Sequence, residues 1–278
     1  MNRRGDMNIK TLIVSVLSLC SSVARAQQPT LFNASDPVTM RTHASIDIES
    51  YLFHNDSEFY ALRFGYHYGL RSERHRFGMS LPLVHTVFQG DYQGFENTTG
   101  FGDLKVSYLW VPYVKNNTIG IERLTLGMDV SAPTGEYKLG RGAGTWLYNP
   151  RLIVTWRPGT SIAVFPEIRY QFSGSEANST GGSDGAPDPD DPEKDDEIQN
   201  LAVALPAVVQ MDDWNGWFSL NTLYSHSFSE GTDFLFLRMD IGKVIGENAS
   251  AALRISKFIA GQPRLNVLVQ ANFSFYFR

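Results

Sequence analysis

The chain has 278 residues, enough for one large domain or two small ones, and a formal net charge of −5. This mildly acidic charge argues against a general nucleic-acid binder, so no nucleic-acid partner is expected. Charged residues make up 19% of the chain and aromatic residues 13%, so charge is sparser than in a typical soluble domain. The mean hydropathy is nonetheless negative, which excludes a chain that is apolar throughout.

Residues 1–26 have the pattern of a secretory signal peptide. Basic residues near the start precede an apolar run at 11–19, and Ala24-Arg25-Ala26 forms a small-x-small cleavage site. We therefore expect a signal peptide at 1–26 and a periplasmic N-terminal segment at 27–42.

The sequence after the signal peptide contains neither a cysteine nor an apolar run that predicts a membrane helix. The single cysteine, Cys20, lies within the signal, so no disulfide is expected. The longest later apolar run, at 201–209, is broken by Pro206 and falls far short of the roughly twenty residues of a membrane helix. A membrane location therefore requires strands.

Apolar and polar residues alternate repeatedly from His43 to the C-terminus, as they do in strands with one apolar face. The last ribbon, 265–278, is long and ends with three aromatic residues on its apolar face, which suits a strand that crosses an outer membrane. Segments of this kind number about twelve, and bacterial single-chain barrels have an even number of strands. The fold class predicted for 43–278 is all-β: a closed transmembrane antiparallel β-barrel.

The lengths of the connections support the same fold. Numbered in order, the even connections are short and every long segment is an odd one, as expected for periplasmic turns opposite external loops. The short connections are Arg71–His75, Lys115–Thr118, Pro158–Thr160, Asp212–Gly216 and Gly246–Asn248, and the long ones are Gln89–Gly100, Pro133–Thr145 and Gly174–Glu197. This arrangement predicts the bacterial outer membrane as location, membrane lipid as a partner and both termini in the periplasm.

Three prolines lie inside predicted strands, at Pro82, Pro166 and Pro206. Each removes a ladder hydrogen bond from a barrel in which every strand is paired on both sides. We expect bulges or strand ends at these positions.

Ionic side chains fall on the strand face opposite the apolar one. A register slip of one residue would turn them to lipid, at roughly 2–4 kcal/mol for each cation near the midplane. The residues predicted to line the lumen are Arg63, Asp103, Lys105, Arg123, Asp129, Arg151, Glu167, Arg169, Arg238, Asp240 and Arg254, with Asp47 and Glu49 on the same face. They are either cross-strand ion pairs that stiffen the barrel or a charge ladder that filters solutes, and both functions are compatible.

A lipid hydrolase is one alternative function. The candidate segment is 225–230, near the outer end of a strand, where Ser225, His226, Ser227 and Glu230 occur together. Adjacent strand residues point to opposite faces, however, which separates His226 from both serines, whereas a nucleophile and its base need hydrogen-bond reach.

The acidic stretch 174–197 has two interpretations. It is either a solvated external loop or a collar that attracts cations, although no spacing in it matches a calcium loop. No metal spacing, phosphate loop or nucleotide fingerprint occurs in the chain, so no metal and no cofactor is expected.

Two stretches carry a resemblance to a known family. Residues 100–105, Gly-Phe-Gly-Asp-Leu-Lys, begin a strand in the middle of the barrel, and the Pro-Thr-Gly loop at 132–137 is followed by three glycines and then Asn149-Pro150. Together they resemble the outer-membrane proteins of the meta-pathway of phenol degradation family. The resemblance implies an outer-membrane barrel that admits small molecules, aromatic or hydrophobic ones among them, with glycines at 100 and 102 for a tight approach and Asp103 as an inward carboxylate.

The predicted function is a channel or transporter for a small solute, without enzymatic activity. The loops 89–100 and 133–145 would constrict its mouth, where Tyr92, Phe95, Tyr137 and Arg141 are candidate contacts. A lipid hydrolase and a closed structural or adhesive barrel remain alternatives. The solute, the resting state of the pore and the oligomeric state are left open.

Overall fold

The computed structural model describes residues 34–54, 57–87, 97–115, 119–174, 198–261 and 265–277. Most of these residues belong to strands. The strands are β1 (His43–Phe53), β2 (Glu58–Gly69), β3 (His75–Val87), β4 (Thr98–Phe101), β5 (Leu104–Val114), β6 (Gly120–Ala132), β7 (Leu147–Arg157), β8 (Ile162–Val164), β9 (Glu167–Ser173), β10 (Gln199–Met211), β11 (Gly216–Ser227), β12 (Thr232–Ile245), β13 (Ala249–Gly261) and β14 (Leu265–Tyr276). Short 3-10 helices cover Tyr137–Leu139 and Asp212–Trp214. No helix in these ranges is long and apolar enough to cross a membrane.

The strands form a closed antiparallel barrel, as predicted. The barrel wall has twelve strand positions, here called staves, because two of them are each made of two short strands. β4 and β5 form one stave interrupted at 102–103, and β8 and β9 form another interrupted at 165–166. β14 pairs with β1, and β10 pairs with β11, so the strands in the described part of the chain leave no free edge. A closed sheet satisfies the backbone polar groups that lipid cannot.

The three prolines coincide with interruptions of the ladders, as expected. Pro166 lies in the break between β8 and β9, and Pro206 lies opposite that break, where its carbonyl accepts a bond of 2.8 Å from the amide of Phe165. Pro82 lies where the partner of β3 changes from β5 to β4, and its carbonyl accepts the amide of Gly102 at 2.9 Å. The missing proline donors thus fall where regular pairing is already broken.

Every stave carries exposed apolar side chains on its outer face. One example from each stave is at least a third exposed: Ile48, Phe64, Met79, Val106, Leu126, Leu152, Ile168, Leu205, Leu220, Ile241, Leu253 and Phe273. Exposed Tyr68, Trp110 and Trp156 add aromatic rings toward the short-turn end. An apolar band flanked by aromatics is the outer surface that a bilayer requires.

The stretch before β1 folds into the short-turn end of the barrel. Within this N-terminal segment, residues 34–42, Val38 is fully buried and Met40 is 6% exposed. They pack with inward apolar residues of the wall: Leu109, Val111, Ile153, Ala163, Phe165, Val208, Trp217 and Val244. We call this set the apolar seal. The predicted periplasmic segment 27–42 therefore lies, over its described part, inside the barrel end.

Polar contacts hold the N-terminal segment in this position. Asp36 forms an ion pair with Arg123, and the Arg76 guanidinium donates to the carbonyl of Thr39. The amide of Phe277 donates to the carbonyl of Thr42 at 2.9 Å. Gly69 permits the close approach, because a Cβ there would lie 1.8 Å from the carbonyl oxygen of Met40.

The orientation of the two faces is tested at Met239, an outward residue near the middle of β12 that is 45% exposed. We expect Met239→Arg to lower the free energy of unfolding by roughly 2–4 kcal/mol, since it places a guanidinium against acyl chains. Met239→Leu, the matched control, should cost under about 1.5 kcal/mol. Urea unfolding in lipid vesicles measures both, and equal losses for the two variants would contradict the assigned orientation.

Candidate functional site: the lumen

Cross-strand ion pairs occupy the middle of the lumen. Glu49 pairs with Arg63 at 3.1 Å and Asp129 with Arg151 at 3.3 Å. Asp240 accepts two bonds from the Arg254 guanidinium, at 2.6 and 3.2 Å, and Glu167 pairs with Arg169 at 3.1 Å along the same strand. These predicted lumen residues thus form a belt in which most charges are compensated.

A cavity of about 420 Å³ lies between this belt and the N-terminal segment. Ala34, Asp36 and Thr39 of the segment form one side of it. The wall includes Arg151, Glu167, Arg169, Arg238, Asp240 and Arg254. The ionic side chains therefore surround a hollow and do not merge into a solid core.

Two belt cations have no carboxylate partner within 4.0 Å among the described residues, namely Lys105 and Arg238. Arg238 donates from Nε to the hydroxyl of Ser256 at 3.1 Å, and its guanidinium lines the cavity. Asp47 has amide partners, since it accepts from Asn272 at 2.7 Å and from Gln270 at 3.0 Å. The uncompensated charge of the belt is therefore positive on balance.

The wall toward the end opposite the short turns carries an inward apolar patch that the sequence interpretation missed. Tyr51 and Phe59 meet edge to face with ring centroids 5.1 Å apart, and Phe236 and Phe258 do so at 5.9 Å. With Leu268 these residues form the apolar wall. A signal was available, because Phe236 has the same strand parity as Arg238 and Asp240.

Arg76 is a second residue that the sequence interpretation missed. It lies at the start of β3, directly after a short connection, where the alternation pattern is weak, yet it is only 5% exposed and points at the N-terminal segment. Arg123, predicted to line the lumen, meets Asp36 of that segment. Both arginines therefore hold the segment at the barrel end.

Asp103 organises the loop at 133–145. One carboxylate oxygen accepts the amide of Gly135 at 2.8 Å and the other accepts the amide of Ala143 at 2.7 Å. The inward carboxylate expected at this position thus has its oxygens engaged by the loop backbone. Its position in the structure fits a loop anchor better than a filter for solutes.

Arg141, predicted as a mouth residue, fastens the same loop. Its guanidinium pairs with Glu136 at 2.6 Å and donates to the carbonyl of Thr99 at 3.3 Å. Gly100 leaves room for it, since a Cβ there would lie 1.4 Å from the Arg141 Nη1 atom. Tyr137 in the loop is 60% exposed. The other two candidates, Tyr92 and Phe95, lie outside the described residues, as does nearly all of the acidic stretch.

The structure does not assemble the hydrolase candidates. His226 lies on the outer face and meets the Asp233 carboxylate at 2.9 Å, whereas Ser227 is buried on the inner face. Ser227 accepts the amide of Glu230, and Ser225 shares its inward parity. The separation expected from strand alternation is therefore present. Across the described ranges, no cluster of three or more His, Cys, Asp or Glu residues is arranged to hold a metal ion.

The role of Asp103 is testable by proteolysis. We expect Asp103→Ala to release the backbone of the 133–145 loop and to speed tryptic cleavage after Lys138 or Arg141 severalfold, since two partly buried backbone N–H groups lose a charged acceptor. Asp103→Asn, which retains one acceptor oxygen, should give an intermediate rate. Cleavage of Asp103→Ala at the wild-type rate would contradict the anchoring role.

Comparisons with known proteins agree with this architecture. The profile of a family described as "Putative MetA-pathway of phenol degradation" matches residues 37–189. No curated protein matches the sequence.

Solved structures with the same barrel include an outer membrane channel from Pseudomonas putida F1, with 16% identity, coverage of 87% of this chain and 96% of that chain, and a TM-score of 0.65. The NanC porin has 8% identity, coverage of 85% and 99%, and a TM-score of 0.53. The KdgM porin has 8% identity, coverage of 84% and 99%, and a TM-score of 0.52. At these identities the likeness establishes the fold.

The family profile covers more than half of the chain, and its match includes the two stretches that carried the resemblance. The closed barrel and its apolar outer band place the protein in the bacterial outer membrane. The chain belongs to the family described as "Putative MetA-pathway of phenol degradation".

Proposed function

We propose that the protein is an outer-membrane channel for a small solute with an aromatic or hydrophobic body. The observation that carries this proposal is the cavity of about 420 Å³ that lies between the ionic belt and the N-terminal segment. This volume falls within the roughly 300–1,000 Å³ typical of ligand pockets. The apolar wall provides aromatic surface on the external side, where such a solute would arrive.

The way the N-terminal segment is attached supports a channel over a permanently closed barrel. Residues 34–42 contribute no strand to the sheet, and the segment is held by side-chain contacts and by bonds from Gly69 at the end of β2 and from Phe277 after β14. The segment can therefore withdraw without breaking a ladder of the barrel. We infer that the apolar seal is the gate of this channel and that solute leaves on its periplasmic side.

Planar-bilayer recording of the purified full-length protein tests this proposal. We expect small discrete conductance steps for the wild type and steps several times larger for the double variant Asp36→Asn with Val38→Asp. The variant removes the charge that meets Arg123 and places a carboxylate in the apolar seal.

Asp213→Asn, an exposed acid in the short turn after β10, is the matched control and should leave the steps unchanged. Uptake of phenol into proteoliposomes should follow the same order as the conductances. Absence of current from both the folded wild type and the double variant would overturn the proposal.

A further inference from the structure

Arg238 has hydrogen-bonding capacity that the barrel does not use. Its Nε atom donates to Ser256, and neither Nη group has a bond to any other part of the described chain. The other belt arginines differ, since Arg63, Arg151, Arg169 and Arg254 each meet a carboxylate. A guanidinium at a cavity wall whose two outer nitrogens are unused can donate two parallel hydrogen bonds to a planar anion.

The apolar wall begins beside this guanidinium. Strand pairing joins Arg238 to Ser256, Ser256 to Leu268, and Leu268 to Tyr51 and then Phe59, so these inward positions form one lateral row. Phe236 lies two residues from Arg238 on the same face, toward the external loops, and meets Phe258. One free cation therefore adjoins one continuous apolar surface.

The neighbouring charges limit the anion to a single negative charge. Arg254 is paired with Asp240 and Arg169 with Glu167, so Arg238 offers an anion one uncompensated positive charge. A dianion such as phosphate would also need more free donors than one fork provides. A carboxylate matches the two parallel bonds of a guanidinium.

We propose that Arg238 and the apolar wall form a binding site for a monocarboxylate with an aromatic or aliphatic body. The carboxylate accepts two bonds from Arg238, and the body packs on Phe236, Phe258 and Leu268. This inference rests on the proposed channel function and names the class of solute. It assigns a recognition role to an arginine that forms no carboxylate ion pair with any described residue.

Isothermal titration calorimetry of the purified full-length protein in detergent tests the site with sodium benzoate, benzamide and acetate as probes. Wild type should bind benzoate about tenfold or more tightly than benzamide, which lacks the charge, because bonds to charged groups are the stronger ones. Acetate, which lacks the apolar body, should also bind at least about tenfold more weakly than benzoate.

Three variants separate charge from apolar contact. Arg238→Gln should reduce benzoate affinity to the level of benzamide, and Phe236→Ala should weaken both probes alike. Arg238→Lys keeps the charge but loses the fork, so it should bind with intermediate affinity, and it remains informative where Arg238→Gln fails to fold. Lys243→Gln is the matched control, since it removes one cation from the outer face of the same strand and should change nothing.

Equal binding of benzoate and benzamide to wild type, no binding of benzoate, or an unchanged benzoate affinity in folded Arg238→Gln would each overturn the inference. Conductance without benzoate binding would contradict this site and leave the channel in place. Benzoate binding without conductance would leave the site in place and contradict the channel.

Discussion

The structure depends on one constraint, which is that charged and backbone polar groups cannot face acyl chains unpaired. Alternation within each strand puts the ionic side chains on one face, and closure of the sheet turns that face inward. The pairing of β14 with β1 completes the ladder, so no described strand is left as an edge facing lipid. The belt of ion pairs, the cavity and the position of the N-terminal segment all follow from this enclosure.

The barrel has three layers along its axis with different chemistry. The apolar wall lies at the end opposite the short turns, the ionic belt lies in the middle, and the apolar seal lies at the short-turn end. A solute with an apolar body would meet apolar surfaces at both ends of the barrel and a charged layer between them. Such a layer excludes solutes that cannot match its charge, whereas a uniformly polar pore would separate solutes mainly by size.

The sequence was sufficient to predict what depends on local pattern. Strand alternation and connection length are short-range properties, so the twelve staves, the outward face and the inward Arg63, Arg151 and Arg254 could be predicted from single segments. The ladder breaks at the three prolines could also be predicted, because proline lacks the backbone N–H that a ladder hydrogen bond requires. The family resemblance over residues 100–150 rested on the 133–145 loop, and Asp103 and Arg141 hold that loop in place.

What escaped prediction depends on contacts between distant segments. Asp36 meets Arg123 across 87 residues, and Ser35 meets Gln210 across 175, so no local pattern places residues 34–42 inside the barrel. The lack of a carboxylate partner for Arg238 among the described residues likewise becomes evident only when the neighbouring carboxylates have been assigned to other arginines. The apolar wall was overlooked because Phe236 and Phe258 share their strand faces with the charged residues Arg238, Asp240 and Arg254.

Site-directed spin labelling along β12 tests the enclosure most directly. Labels introduced one at a time from Leu235 to Ile241, in protein reconstituted in lipid vesicles, report collisions with oxygen, which concentrates in lipid, and with a water-soluble nickel chelate. The account predicts strict alternation, with oxygen dominant at 235, 237, 239 and 241 and the chelate dominant at 236, 238 and 240. Uniform values along the strand, or the opposite alternation, would contradict the assignment of ionic residues to an enclosed lumen.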